Sequence, residues 1–254
     1  MWPRPTDIQL GLHYAGSAYG CGSIEEANQI DTAYYPTSWG DAELIIGRCF
    51  ALSSGRDFLD VGAGNGAFSN VARKYGFHVD AVEPNPNACV VFRQVNGFSP
   101  RQQFFDCVFA DEVRGSYDVV LLSQVLEHLP HPVETVKSIR MVLRQGGIVC
   151  IAVPHFGSFV SRLQGVNDMF VSPPEHLNFF SRSGLKELFL KNGFRLCFVE
   201  TVSKIPRRRI ERLARFRRLG AVGWRVLFAG MRLTDWCGAG MVLNGYFEKV
   251  GDGD

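Results

Sequence analysis

The sequence predicts an α/β domain built on a doubly wound, mostly parallel sheet. Three observations carry this. From residue 57 onward, short strands that are apolar throughout alternate with segments of helical spacing, the pattern of a sheet covered on both faces. The first apolar run ends on Gly62, Gly64 and Gly66, at the strand-to-helix turn where such sheets bind ligands. The chain has 254 residues, 46% hydrophobic and 20% charged, which suits one sizeable globular domain, alone or with an attached subdomain.

The elements follow in order. Phe58 to Val61 is an apolar strand, and 67–75 (AFSNVARKY) has helical spacing. His78 to Val82 is a second strand that ends at Glu83-Pro84, and Pro86 to Asn96 a second helix. Cys107 to Ala110 reads as a weak third strand, and Tyr117 to Leu122 as a strong fourth. Pro132 to Leu143 is a helix expected to stop at Gly146-Gly147, since glycine closes helix C-termini. Ile148 to Val153 is a fifth strand. A helix over 183–192, with Ser181 or Ser183 as N-cap and Gly193 as its stop, leads to a sixth strand, Phe194 to Val202. Met241 to Val250 closes the sheet.

These elements divide the chain into a cap segment over 1–50, rich in Tyr, Gly and Ser and expected to be helical, a core over 51–203, a basic insertion over 204–236, and a closing strand and tail over 237–254.

Charge sharpens this division. The whole chain carries 27 basic and 25 acidic residues, a net of +2. A protein coated in positive charge for nucleic acid is therefore not expected. Residues 204–232 nevertheless hold ten basic residues and one acid, Glu211. The seven cysteines are scattered and form no CxxC, so neither a zinc knuckle nor a redox motif is expected, and a reducing, cytoplasmic setting fits. No apolar leader and no run of ~18 apolar residues is evident.

The glycine loop, FLDVGAGNGAF, has a chemistry beyond its turn. Asp60 lies two residues before Gly62, where a carboxylate would repel a pyrophosphate but suits a cationic ammonium or sulfonium. Glu83, at the end of the second strand, can accept both hydroxyls of a ribose. Asp111, after the third predicted strand, could receive an adenine amino group.

The motifs DVGAGNG (60–66), VEP (82–84), YDVVLLSQVLEHLPHP (117–132), LRQGGIVCIAVP (143–154) and PPEHLNFFSRSGLKELFLKNGF (173–194) resemble those of the class I S-adenosylmethionine-dependent methyltransferases. The resemblance is strongest to the branch of the ubiquinone-biosynthesis methyltransferases and covers about residues 57–200. It implies a Rossmann-like sheet of seven strands, the last antiparallel, with S-adenosylmethionine at the carboxyl edge. It implies that Asp60, Gly62, Ala63, Gly64 and Gly66 hold the methionine part. Glu83, followed by Pro84, would hold the ribose, Asp111 would lie near the adenine, and Ser123 and Gln124 would line the cleft. Tyr34 and Tyr35 resemble tyrosines that cover the methionine carboxylate.

A sulfonium methyl is already activated, so transfer is an in-line displacement that needs alignment above all. A base is required only where the nucleophile keeps its proton near neutral pH. His128, His155 and His176 fall where the cleft is expected and titrate in the right range. Each also has a structural reading, as a residue that holds its loop. With Glu127 they could suggest a metal site, but the spacing fits no compact metal motif, and no metal is expected.

In 205–233, Ile210, Leu213, Phe216 and Leu219 recur at three-residue spacing beside Arg209, Arg212, Arg215 and Arg218. This predicts two amphipathic helices. They read as a flap over the site, as a peripheral contact at the inner face of a membrane, or as a grip on an anionic acceptor. The expected activity is methyl transfer to a small-molecule, sugar or lipid-linked acceptor, with oxygen favoured. The alternatives are an RNA or protein methyltransferase that uses the arginines and a non-catalytic regulatory protein. A nicotinamide dehydrogenase is disfavoured by Asp60.

Overall fold

The computed structural model describes residues 5–14, 33–35, 40–168, 170–171, 175–206 and 221–251. The main sheet holds the strands β2 (Asp57–Val61), β3 (His78–Val82), β4 (Tyr117–Ser123), β5 (Leu143–Pro154), β6 (Phe194–Val202) and β8 (Val242–Lys249), in the order β3-β2-β4-β5-β8-β6. β2 pairs in parallel with β3 and β4, and β4 with β5. β8 runs antiparallel between β5 and β6. A separate two-residue ladder joins β1 (Ala33–Tyr34) to β7 (Ile205–Pro206), which ties the cap segment to the chain after β6.

Burial follows the apolar runs. Leu59, Val120, Leu122, Val149, Ile151 and Phe247 form one core with residues of the helices α6 (Pro132–Val142) and α8 (Arg182–Leu190). On the other face, Phe58, Val119, Leu121 and Cys150 pack on α2 (Asp41–Leu52) and α3 (Ala67–Lys74). The doubly wound reading therefore holds, and the antiparallel final strand is present.

The number of strands differs from expectation: six form the sheet among the described residues, not seven. Residues 107–112 are a helix, α5 (Cys107–Glu112), and not a third strand. Asp106 explains this, because its carboxylate caps the helix by accepting the Phe109 amide at 2.9 Å. Arg101 stands where an edge strand would run. It bridges Val82 and bonds Ala81 and Glu83 through the backbone, but the pairing extends no further.

Two helix ends also differ. α6 ends at Val142, with Leu143 already extended as its cap, and Gly146-Gly147 lie inside β5. α8 begins at Arg182, one residue before the expected start, while the Ser181 hydroxyl accepts the Gly184 amide, so the first of the two expected N-caps is the one used. α4 (Pro86–Asn96) is capped by the Asn85 side chain, as its sequence start suggests. The first predicted basic helix falls largely outside the described residues. The second is present as α9 (Ala221–Trp236), and α1 (Asp7–Tyr14) and α2 supply the helical cap.

Candidate active site

A cavity of about 320 Å³ opens at the carboxyl edge of β2, β3 and β4, within the usual range for ligand pockets. Gly62, Gly64, Glu83 and Pro84 line one part, and Gln124, Val125 and His128 another.

The loop after β2 turns because three glycines adopt left-handed backbone. Gly62, Gly64 and Gly66 have φ of 67°, 53° and 81°, a region costly for any residue with a Cβ. Gly62 also faces Val125, where a Cβ would come within 2.6 Å of a methyl group. A Cβ on Gly66 would come within 2.2 Å of the Asn96 side chain, which donates to the Gly66 carbonyl. The amides of Gly62 and Ala63 are taken by the Val82 carbonyl, so the loop is tied to the end of β3.

Glu83 reinforces that tie. Its carboxylate accepts the Gly64 amide and the Asn85 amide, both at 2.8 Å. Burial raises its pKa, and the two amides oppose the shift. Its position on the cavity wall suits a polyhydroxyl ligand.

Asp60 is placed differently from expectation. Its carboxylate is buried beneath the loop, accepts the Ser69 hydroxyl at 2.7 Å, and is not among the cavity-lining residues. Burial raises it to about 7, partly offset by Ser69. Its role here is to hold the loop onto α3. Asp111 is a clearer correction. It lies on α5 rather than after a strand, its side chain is 69% exposed, and it pairs with Arg114 at 2.6 Å. Phe104 and Phe105, just before α5, line the cavity.

Ala63 and Gly66 shape the loop without lining the cavity, and Ser123 closes β4 beside Ala152. Gln124 does line it, in a left-handed conformation (φ 57°) held by its amide on the Ala152 carbonyl at 2.7 Å. Such a strained non-glycine residue is common at functional sites. Tyr34 and Tyr35 are not among the lining residues. Tyr35 is engaged with Asp41, and burial raises its hydroxyl well above the usual range.

The histidines separate. His128, in the 3₁₀ turn Leu126–His128, lines the cavity. Its Nδ1 lies 2.9 Å from the Glu175 carbonyl. A carbonyl only accepts, so Nδ1 carries the proton and Nε2 holds a lone pair in the neutral ring. His176 has the same arrangement, with Nδ1 at 2.7 Å from the Phe170 carbonyl and its ring 4.7 Å from that of His128. It lines a small adjacent pocket rather than the main cavity. His155 lines that small pocket too. It is buried and held by the Gly240 carbonyl, and burial lowers its pKa. It reads as a structural residue.

Glu127 is the residue whose importance spacing did not reveal. It is 1% exposed, neither carboxylate oxygen has a partner among the described residues, and burial raises it to about 8. Its ligand atom and those of His128 and His176 lie within 4.8 Å of one another. The fold thus gathers a group that could hold a divalent cation, with the carbonyl-bonded histidines oriented as metal ligands are. Asn178 builds this corner: its side chain donates to the Leu126 and Leu129 carbonyls, and its backbone to that of Glu127.

Tyr14, Phe104 and Phe105 were not singled out by the sequence. Tyr14 lines the cavity from α1, with its ring edge-on to His128 at 5.6 Å and its hydroxyl on the Glu175 carbonyl. Burial raises its phenol well above the usual range. The aromatic doublet before Asp106 was a usable signal, but Tyr14 offers none.

A glycine loop tied to an acid at the end of the next strand and a polar turn after β4 thus meet in one candidate site at the carboxyl edge of the sheet. The family model for a methyltransferase domain matches residues 41–197. The chain belongs to that family of methyltransferase domains. A ubiquinone biosynthesis O-methyltransferase of Idiomarina loihiensis is 27% identical over 158 residues, which cover 55% of this chain and 65% of that one. An uncharacterized methyltransferase of Mycobacterium sp. (strain KMS) is 36% identical over 100 residues, 39% of this chain and 38% of that one. The chain thus spans less than two thirds of these relatives.

Two solved structures share the fold. One is the [4+2]-cyclase SpnF, with TM-score 0.62, 18% identity and 99% coverage of both chains. The other is a possible histamine N-methyltransferase of Thermotoga maritima, with TM-score 0.55, 17% identity, and coverage of 81% and 88%.

Proposed function

We propose that the enzyme methylates a hydroxyl of a small-molecule or lipid-linked acceptor, with His128 as the general base. The observation that carries this reading is the cavity itself, which Glu83 and the glycine loop share with His128. S-adenosylmethionine supplies the electrophilic methyl. Glu83 suits its ribose hydroxyls, and the glycines let its methionine part approach the backbone. On this reading the cavity would hold the acceptor hydroxyl facing that methyl, and S-adenosylhomocysteine would be the leaving product. Nε2 of His128 takes the hydroxyl proton, and the Glu175 carbonyl steadies the imidazolium that forms. Tyr14, Phe104, Phe105 and Leu129 supply apolar walls that exclude water. Positioned base catalysis contributes ~10²–10⁴-fold. The O-methyltransferase relative favours oxygen as acceptor.

The test compares His128→Ala with wild type. S-adenosylmethionine affinity by calorimetry should stay within about threefold, while methyl transfer to catechol-type and lipid-borne hydroxyls falls ~10²-fold or more. Equal rates would remove the base from the mechanism.

One observation favours a second reading. Glu127, whose carboxylate has no partner among the described residues and lies beside two oriented imidazoles, could hold a divalent cation with them. Such an ion would lower the pKa of the acceptor hydroxyl. Dialysis against a chelator separates the readings: loss of activity that Mg²⁺ or Zn²⁺ restores supports the cation, and unchanged activity supports the base alone.

A further inference from the structure

α9 is tied to the sheet by one face and exposes another, which meets no partner among the described residues. Met231 is buried, Thr201 donates to the Asp235 carbonyl, and Ser203 donates to the Asp235 carboxylate at 2.6 Å. The opposite side carries Val226, Leu233 and Trp236, which are 68%, 60% and 85% exposed. At ~100° per residue these fall within one sector of the helix, and Ala229 shares it. Arg225 and Arg232 lie along one border of this stripe.

Exposed apolar side chains also stand beyond the helix. The Phe159 amide donates to the Ala239 carbonyl just past its end, which joins the start of α7 (Phe159–Gln164) to that segment. Phe156, Phe159, Leu163 and Val166 are all exposed there, with Arg162 among them. Phe156 in turn packs on Phe179, 5.4 Å between ring centroids, beside the pocket of His155 and His176. Two groups of exposed apolar side chains with basic residues beside them therefore lie on elements joined at Ala239, and the second reaches the pocket of His155 and His176. Isolated exposed apolar side chains need no explanation, but groups of three and four on one element do.

We propose that this face, α9 with α7, docks onto an anionic lipid bilayer. Charge complementarity favours that occupant. In sequence, residues 207–220 lead directly into α9 and carry seven arginines and one acid, and arginine beside Trp, Leu and Val is the composition of helices that lie in a membrane interface. A second copy of this chain is disfavoured, because a self-complementary contact would bring Arg225 and Arg232 against their own counterparts. The helix lies in the interface plane and does not cross it: among the described residues no helix is long and apolar enough to span a membrane. The docking stands apart from the identity of the acceptor. If the acceptor is lipid-borne, as the proposed function allows, the same face presents it beside His176 and His128.

The test is flotation of the full chain with vesicles of phosphatidylglycerol and phosphatidylcholine, and with phosphatidylcholine alone. The chain should float with the anionic vesicles, fall away as salt is raised, and show little binding to the neutral ones. A Leu233→Asp/Trp236→Asp variant should lose about tenfold in recovery, while its S-adenosylmethionine affinity, which reports both folding and the active-site reading, stays unchanged. Light scattering in the absence of lipid completes the test. Wild type that ignores anionic vesicles overturns the proposal. So does a wild-type dimer that the variant splits while vesicle binding is unaffected, since the face then belongs to a second copy.

Discussion

Glu83 accepts the Gly64 amide at 2.8 Å, so the acid that follows β3 also fixes the loop that follows β2. Its second oxygen accepts the Asn85 amide at the start of α4. One carboxylate thus sets the shape of the loop before any ligand arrives. Glu83→Ala would leave both amides unsatisfied, at ~1–3 kcal/mol each where buried. Calorimetry should show S-adenosylmethionine binding weakened at least tenfold, and thermal melting should show a lower Tm. Wild-type affinity in this variant would refute the placement of the cofactor.

Gly62→Ala tests the loop's backbone. The substitution puts a Cβ at φ 67° and against Val125, and the left-handed backbone alone costs ~1–2 kcal/mol. Loss of affinity should exceed that of a surface glycine such as Gly76, whose Cβ would meet nothing within 4 Å although its φ is also positive. Adding Val125→Ala should recover the steric part and leave the backbone part, as a double-mutant cycle would show.

Asp60 predicts a pH dependence of stability. Its folded pKa, about 7, lies above its ordinary value of 3.8 because of burial. The folded state therefore holds a proton that the unfolded state has lost, and stability falls as pH rises from about 4 to about 7. The stabilising contribution is complete below pH 4 and gone above the folded pKa. Asp60→Asn should flatten this part of the melting curve against pH while it keeps a bond with Ser69. A slope that the variant leaves unaltered would contradict the assignment.

His155 and Asp111 should prove silent in chemistry for opposite reasons. His155→Ala removes a buried ring and its bond to Gly240, so Tm should fall, by ~1–3 kcal/mol of stability, while the folded fraction keeps its kcat. Asp111→Ala alters an exposed ion pair, worth ~0–1 kcal/mol. Its cofactor affinity should match wild type in a binding titration. A large loss in either would restore the role that the sequence suggested.

Much of this was legible beforehand because it is local. The glycine loop, the apolar strands β2, β4 and β5, and the Asn85-Pro86 start of α4 depend on neighbours a few residues away. The reading of Cys107 to Ala110 as a strand failed because a four-residue apolar run has no period of its own. The Asp106 cap, three residues before Phe109, was the stronger signal. Asp111 followed that misreading. Glu127 was seen beside His128, but its meaning was not, since desolvation depends on what closes over it.

Sequence alone was enough for the doubly wound layers, the glycine turn and the family, because strand and helix periodicity, motif spacing and glycine backbone freedom act over short separations. The tertiary structure alone decided which histidine faces the cavity. It brought Tyr14 from α1 onto the ring of His128, placed Glu127 within 4.8 Å of two imidazoles, and buried Asp60 beneath its loop. These are contacts between segments far apart in the chain, and burial and electrostatics follow from what packs around a group rather than from the order of its neighbours.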